Sequence, residues 1–363
     1  MPGSPPSPPT PPKRLSLVAQ TALSLEEGIR SGHWKGALPG ERQLCARLQV
    51  SRPTLRAALE ELRQNGWIEV SPRQRPRIRK RHHIPRGGGP PKVIAVLSPS
   101  PAQGLIPLAL LSLDALRERL TEAGYAVHFH VNPACYSTRP ARALEKLVGG
   151  NPSSAWLLMG TLDPVHRWFV QSGVRCVVMG TPKAEIPLPS IDSNYRAVCR
   201  HATSLLLRKG HRSLAILLPK GIHGGDAESR RGFLEAIASW RRAITSRVLE
   251  QDGTVPGIRR LLDATHRSVD PPTAYIVARP GPTLTVVTHL LRQRIRIPQD
   301  IAIISRDNDA FLQSATPTIT RYAIDPGAFA RRLTMIVRRL AEEGTLPARP
   351  IRLMPRFFPG ETG

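Results

Sequence analysis

Glu41-Arg42-Gln43-Leu44-Cys45-Ala46-Arg47-Leu48-Gln49-Val50-Ser51-Arg52-Pro53-Thr54-Leu55-Arg56 is the stretch on which the reading of this chain turns. Its apolar spacing predicts two short helices, Glu41–Leu48 and Arg52–Asn65, separated by Gln49-Val50-Ser51. Ser51 is a natural N-cap for the second helix and Gly66 a natural residue just past its end. Leu55, Leu59 and Leu62 fall on one face and point into a small core. Upstream, helical spacing begins at Leu15, with Val18, Ala22, Leu25 and Ile29 on one face and Gly32 as the stop. Downstream, Trp67-Ile68-Glu69-Val70 alternates as a strand, and Arg77-Ile78-Arg79 is its expected hairpin partner. Two helices with a tight turn, followed by a basic hairpin, describe a winged helix-turn-helix. The second helix of such a unit fits the DNA major groove with its N-terminal residues against base edges. Here that first turn offers Ser51, Arg52, Thr54 and Arg56. Arginine is the usual bidentate partner of guanine, worth roughly 1–3 kcal/mol of discrimination per contact, while Ser51 and Thr54 suit phosphate.

Charge points the same way. The 363 residues carry 52 Lys+Arg against 27 Asp+Glu, a net charge of +25, which favours a polyanionic partner. The excess is densest at the start, where residues 1–92 hold 17 basic against 6 acidic side chains. Arginine dominates the basic residues, a skew that GC-rich coding also produces, so distribution argues for DNA more strongly than the total does. Residues 1–14 form a proline-rich tail without a core-forming pattern, expected to be disordered. Residues 15–80 are the winged unit, and residues 81–91 form a basic, Gly/Pro-rich linker.

Over residues 92–358 the pattern changes to short apolar runs separated by helical segments. The runs are Val93–Leu97, Ala126–Val131, Ala155–Met159, Cys176–Met179, Leu214–Leu218, Ala274–Ala278 and Ile301–Ser305. Continuous apolar strands alternating with helices predict an α/β domain with parallel sheets covered on both faces. Its length calls for two lobes. No run reaches the roughly 18 apolar residues of a membrane span, and the start lacks the features of a secretory leader. The four cysteines are widely separated, as expected of reduced thiols in a cytoplasm.

Leu38-Pro39, Glu41-Arg42, Leu44, Leu48, Val50-Ser51-Arg52, Thr54-Leu55-Arg56, Leu59, Leu62 and Gly66 together resemble the GntR-type winged helix of bacterial repressors. The resemblance implies that Arg42 touches phosphate and that Ser51, Arg52, Thr54 and Arg56 read the operator. The wing departs from the family, which usually has glycine at its tip. The stretch Ser71-Pro72-Arg73-Gln74-Arg75-Pro76-Arg77 stands here instead, leaving Arg73 or Arg75 as minor-groove candidates.

Residues 92–358 resemble the effector domain of LacI/GalR regulators, a periplasmic-binding-protein-like fold. The carrying residues are Val93–Leu97, Ala123-Gly124-Tyr125, Ile191-Asp192-Ser193-Asn194, Arg208–Ser213, Arg230-Arg231-Gly232-Phe233, Ile297–Ile303, Asp307-Asn308 and Pro317–Thr320. Such a domain implies a ligand between the lobes and a homodimer. By resemblance the ligand positions are Asp192, Arg279 and Asp307, with Ser229 and Arg230 near another. Several positions depart from the family. Arg279-Pro280 replaces the usual Asn-Asp after a strand, Ser229 stands where the family has a ligand-gripping Arg, and the aromatic pair after the first strand is missing. Three readings stay open: a different ligand, with an acidic one met by Arg279 or Arg230; a sugar in a rearranged site; or no ligand.

An enzyme is the competing class. The chain has no P-loop, no strand-linked Gly-x-Gly-x-x-Gly, no Gly-x-Ser-x-Gly and no His-Glu-x-x-His. Gly221–Gly225 reads as a flexible loop with a weak claim on phosphate. His128, His130 and His211 lack metal spacing, and neither metal nor cofactor is expected. The chain therefore reads as a cytoplasmic regulator that represses a carbohydrate-related operon from a near-palindromic double-stranded operator. A sugar or sugar derivative, neutral or acidic, is the expected effector. The alternatives are a regulator whose large domain serves only for dimerisation, or an α/β enzyme.

Overall fold

The computed structural model describes residues 16–30, 34, 36–64, 67–69, 76–78, 92–101, 104–221 and 223–363. The tail, the linker, Gly32, Gly66 and the wing tip with Arg73 and Arg75 lie outside them. The chain divides into two units, residues 1–89 and 90–363.

In the first unit, α1 (Leu17–Arg30), α2 (Glu41–Leu48) and α3 (Arg52–Gln64) enclose a core of Leu25, Leu38, Leu44, Leu55 and Leu62. Leu55, Leu59 and Leu62 are buried, as their spacing predicts. Between α2 and α3, Gln49 adopts a left-handed conformation and Val50 N donates to Cys45 O, which turns the chain within three residues. The Ser51 hydroxyl then accepts from Thr54 N at 3.3 Å, the cap expected of it. The wing pairs β1 (Ile68–Glu69) with β2 (Arg77–Ile78) antiparallel. A third segment joins it, a finding the sequence reading lacked: Leu38 N donates to Pro76 O and Ile78 N to Gly36 O. Burying Leu38 in the core brings this backbone alongside β2, and the pairing satisfies its polar groups.

The second unit has two lobes. The first contains β3 (Val93–Ser98), α4 (Pro107–Glu122), β4 (Ala126–Val131), α5 (Ala141–Gly150), β5 (Ala155–Met159), α6 (Asp163–Ser172), β6 (Cys176–Met179) and β7 (Ser190–Ser193). The second contains α7 (Tyr195–Arg208), β8 (Ser213–Pro219), α8 (Gly224–Ala238), β9 (Thr245–Gln251), α9 (Val255–His266), β10 (Ala274–Val277), α10 (Pro280–Arg292), β11 (Ala302–Ser305), α11 (Ala310–Gln313) and β12 (Thr320–Ala323). The chain then returns to the first lobe for α12 (Pro326–Glu343) and β13 (Pro350–Leu353), and ends in the second with β14 (Arg356–Phe358). It thus crosses between the lobes three times.

The sheet orders are β13-β7-β6-β5-β3-β4 and β14-β12-β11-β10-β8-β9. All pairings are parallel except β12 with β14. Separate apolar clusters cover the two faces of each sheet. This is the two-lobed architecture the alternating pattern predicts. The expected boundary at residue 358 is too early, because Thr362 is fully buried and its hydroxyl donates to Ile303 O at 2.8 Å. Among the described residues, no helix is long and apolar enough to cross a membrane.

Candidate functional site

Two places gather side chains capable of recognition. On the first unit, the amino-terminal end of α3 leaves Ser51 and Arg52 exposed, with Thr54 half-buried beside them and Arg42 exposed on α2. The α3 face opposite carries the core leucines, so this end is held firmly while its polar side faces outward. Arg56, also exposed, is paired within the unit. Its Nε lies 3.1 Å from both carboxylate oxygens of Glu41, an exposed pair that ties the start of α2 to the first turns of α3. Arg56 thereby braces the two helices against each other.

The second place is the cleft between the two lobes of the large unit. Its floor in the second lobe is a four-membered charge cluster at the carboxyl ends of β10 and β11 and the start of α8. Arg306 is completely buried: Nη1 donates to Asp226 Oδ1 (2.6 Å) and Ser229 Oγ (2.8 Å), and Nη2 to Asp307 Oδ2 (2.8 Å). Its guanidinium stacks 4.1 Å from the Tyr195 ring. Arg279 bridges the same two carboxylates more loosely, at 3.2 Å to Asp226 and 3.4 Å to Asp307, and is about a third exposed. It also adopts a φ of 75°, a backbone state that costs a non-glycine residue about 1–3 kcal/mol. Burial would raise the Asp307 carboxyl, but the Arg306 and Arg279 charges outweigh it and hold the group below its ordinary value. Two cations thus meet two anions, and the cluster carries no net charge.

The facing wall comes from the first lobe. Asp192, at the end of β7, accepts from the Thr181 hydroxyl (2.6 Å) and from Ser193 N (2.8 Å). Burial raises its carboxyl above the ordinary value despite those bonds and the nearby Arg352 charge. Thr161 also faces this cavity, its hydroxyl 2.8 Å from His166 Nε2. Burial pushes the His166 imidazole down to about 4, so it is neutral under physiological conditions. The cavity enclosed by these groups measures about 290 Å³ and includes Asp192, Tyr195, Asp226, Arg279 and the apolar side chains Leu105, Ile106 and Phe329.

Gly224 and Gly225 let the lobes meet. A Cβ on Gly224 would fall 2.0 Å from the Thr181 carbonyl oxygen in the first lobe, and one on Gly225 would fall 3.4 Å from Asp192 Oδ2, also in the first lobe. The Gly221–Gly225 stretch, read from sequence as a flexible loop, therefore ends in the first residues of α8 and forms a close approach between lobes.

The cleft brings together Asp192, Arg279 and Asp307, but not Arg230. That residue is exposed on α8 and lines neither this cavity nor its neighbour, which corrects the expectation. Helical geometry explains it: Ser229 is the α8 position that faces the cleft side, and the next residue points away. Sequence reading missed Thr181, Asp226 and Arg306. A signal for Arg306 existed, since it directly follows the apolar strand β11 and precedes Asp307.

Asp192 also yields a prediction. Because its carboxyl is raised, the native state loses stability as the pH rises from the unfolded value near ~4 up through the folded one. Asp192→Asn should therefore raise the melting temperature at pH 7, with the gain shrinking as the pH falls through the folded value and absent below pH ~4, and should weaken any ligand response. A variant less stable than the parent at pH 7 would mean that Arg352 compensates the charge after all.

Residues 17–78 match the family described as bacterial regulatory proteins, gntR family, and residues 203–362 match the periplasmic binding protein-like domain. The chain thus carries a segment similar to the gntR family ahead of one similar to the periplasmic binding protein-like domain. Among curated relatives, this two-domain chain is 25% identical over 198 residues to the HTH-type transcriptional regulator CelR of Thermobifida fusca, covering 52% of this chain and 56% of that one. It is 22% identical over 206 residues to catabolite control protein A of Priestia megaterium, covering 52% and 59%. The matches thus span little more than half of either relative. The gntR family is described as regulatory proteins, and CelR as a transcriptional regulator.

Two solved structures share the periplasmic-binding-protein-like fold. The structure titled transcriptional regulator CelR–cellobiose complex aligns with TM-score 0.65 and 18% identity, covering 90% of this chain and all of that one. A LacI-family regulatory protein from Chloroflexus aggregans aligns with TM-score 0.67 and 17% identity, covering 75% and 98%.

Proposed function

We propose that this chain is a ligand-responsive transcription repressor of a carbohydrate-related operon, acting in the cytoplasm as a homodimer on a near-palindromic DNA operator. The observation that carries the reading is the rigidly backed, outward-facing end of α3, with Ser51, Arg52 and Thr54 aimed where a major groove would lie. The net charge of +25 supports the same partner. Arg42 and Thr54 serve phosphate, Arg52 reads a base, and Arg73 or Arg75 enters the minor groove. The four cysteines are free thiols, as a reducing compartment allows. Twofold symmetry is the usual solution for a regulator of a palindromic site.

The effector binds in the cleft, and it is an uncharged polyhydroxylated molecule. An acidic ligand would need a cation to spare, yet Arg279 and Arg306 are both spent on Asp226 and Asp307. Asp192, Thr161 and Thr181 instead suit hydroxyl groups. The cellobiose complex of a relative with this fold supports a sugar.

Selection of genomic fragments by the purified protein at near-physiological salt, followed by titration with neutral saccharides, tests the reading. The expected result is a sharp palindromic site whose occupancy changes with one saccharide. Affinity unchanged across the panel would leave a constitutive DNA binder. On the recovered operator, Arg52→Ala should cost roughly 1–3 kcal/mol and relax one base position. An equal loss on random DNA would move Arg52 to phosphate.

A further inference from the structure

A second cavity of about 270 Å³ lies directly beside the first and is the more apolar of the two, although Arg306, Asp307, Asn308 and Asp309 also line it. Leu111 and Pro107 at the start of α4 form one side, and Ala323, Ile324 and Pro355 at the lobe crossings form another. Ile106, Leu108, Tyr195 and Arg279 line both cavities, so these four residues form the wall they share. The two polar members of that wall are held very differently. Tyr195 is pinned under the buried Arg306 guanidinium. Arg279 is partly exposed, bonded at 3.2–3.4 Å, and strained in its backbone. If Arg279 swings out, Asp226 and Asp307 keep Arg306 as partner and are left with acceptor capacity for hydroxyl groups.

We propose that the two cavities are halves of one ligand site, and that the effector is a sugar-like ring carrying an apolar substituent, with Arg279 as the movable partition between its two ends. The inference rests on the proposed reading of the cleft as an effector site for uncharged polyols. The hydroxylated ring occupies the compartment of Asp192, Thr161 and Thr181. The substituent passes Tyr195, whose ring gives it a flat face, and fills the space beside Leu111 and Ile324. The polar compartment alone is at the small end of ligand cavities, enough for one ring. A longer ligand therefore has to use the second space or remain outside.

Calorimetric titration of the full chain with matched methyl and p-nitrophenyl glycosides of the common hexoses, both anomers, tests this. For the hexose that binds, the aryl glycoside should bind about tenfold tighter, the effect of placing an aromatic ring against apolar walls. Leu111→Asp, at a half-exposed position where folding tolerates charge, should bring the aryl glycoside down to the affinity of the methyl one. Arg279→Gly removes the partition and relieves the positive φ, so it should widen the aryl advantage. Equal affinities of the two glycosides in the parent chain would overturn the two-compartment site while leaving the polyol reading intact. A narrower advantage in Arg279→Gly would overturn the partition role and make Arg279 a ligand-gripping residue. If no glycoside of either kind binds, the polyol reading fails and this inference fails with it.

Discussion

Arg306→Met should destabilise the large unit by about 3–5 kcal/mol, the usual cost of removing one partner from a buried ion pair. Both carboxylates it serves are themselves well buried, Asp226 almost completely, and Arg279 reaches them only at longer distance. The loss should appear as a lower urea midpoint for the unfolding step of the large unit. Its pH dependence gives a second check. Asp307 is held below the ordinary carboxylate value, so its ionisation contributes stability that is complete above pH ~4 and lost as the pH falls through the lower folded value. Without Arg306 that acid-side slope should flatten. The double variant Arg306→Met/Asp226→Asn should lose less than the sum of the single changes, since the Asn leaves no charge to strand. A loss below about 1 kcal/mol for Arg306→Met alone would show that Arg279 and water already satisfy the carboxylates.

This cluster also marks where sequence reading works and where it stops. Helical spacing gave the face of Leu55, Leu59 and Leu62 because burial in a small core leaves a period that one sequence can display. Continuous apolar runs gave β3, β5, β6, β8, β10 and β11, strands buried on both faces, and the run Ala126–Val131 also gave the edge strand β4. The strands missed as such were β7, β9, β12, β13 and β14. All five lie at or next to a sheet edge and are only partly apolar, so no run stands out. The α12 helix went unread although its stripe is regular, because four arginines interrupt it and mask the apolar face.

The site divides along the same line. Asp192, Arg279 and Asp307 were visible because each follows a strand, where α/β folds place their ligands. What one position cannot display is the state of a charge. Arg279 looked in sequence like a cation available to an acidic ligand, and only the fold brings Asp226 and Arg306 against it from two other elements. Ser229 looked like the loss of a ligand-gripping arginine. In three dimensions its hydroxyl receives a guanidinium from Arg306, 77 residues further along the chain. Sequence spacing carries local periodicity well and the pairing of distant charges hardly at all.

Gly224→Ala should uncouple ligand binding from DNA binding. The glycine sits where α8 meets the Thr181 backbone, and the added Cβ would land 2.0 Å from a carbonyl oxygen that no rotamer change can move. Gly224 opens α8 in the second lobe and Thr181 lies between β6 and β7 in the first, so the clash falls between the lobes and the variant should fold with them held apart. A ligand that favours the closed arrangement then has to work against that contact. Ligand affinity should fall by a factor within the 5–150-fold range that couplings of about 1–3 kcal/mol produce. Operator affinity should become nearly insensitive to ligand, because only a ligand with different affinity for two lobe arrangements can shift their balance. Fluorescence anisotropy on labelled operator, with and without ligand, reads the coupling, and small-angle scattering of the full chain reads the separation of the lobes. A variant that keeps both the parent's ligand response and its scattering profile would show that closure does not pass through Gly224. Signalling would then have to arise elsewhere in the cleft, with the three chain crossings beside Asn194, Ile324 and Pro355 as the next place to substitute.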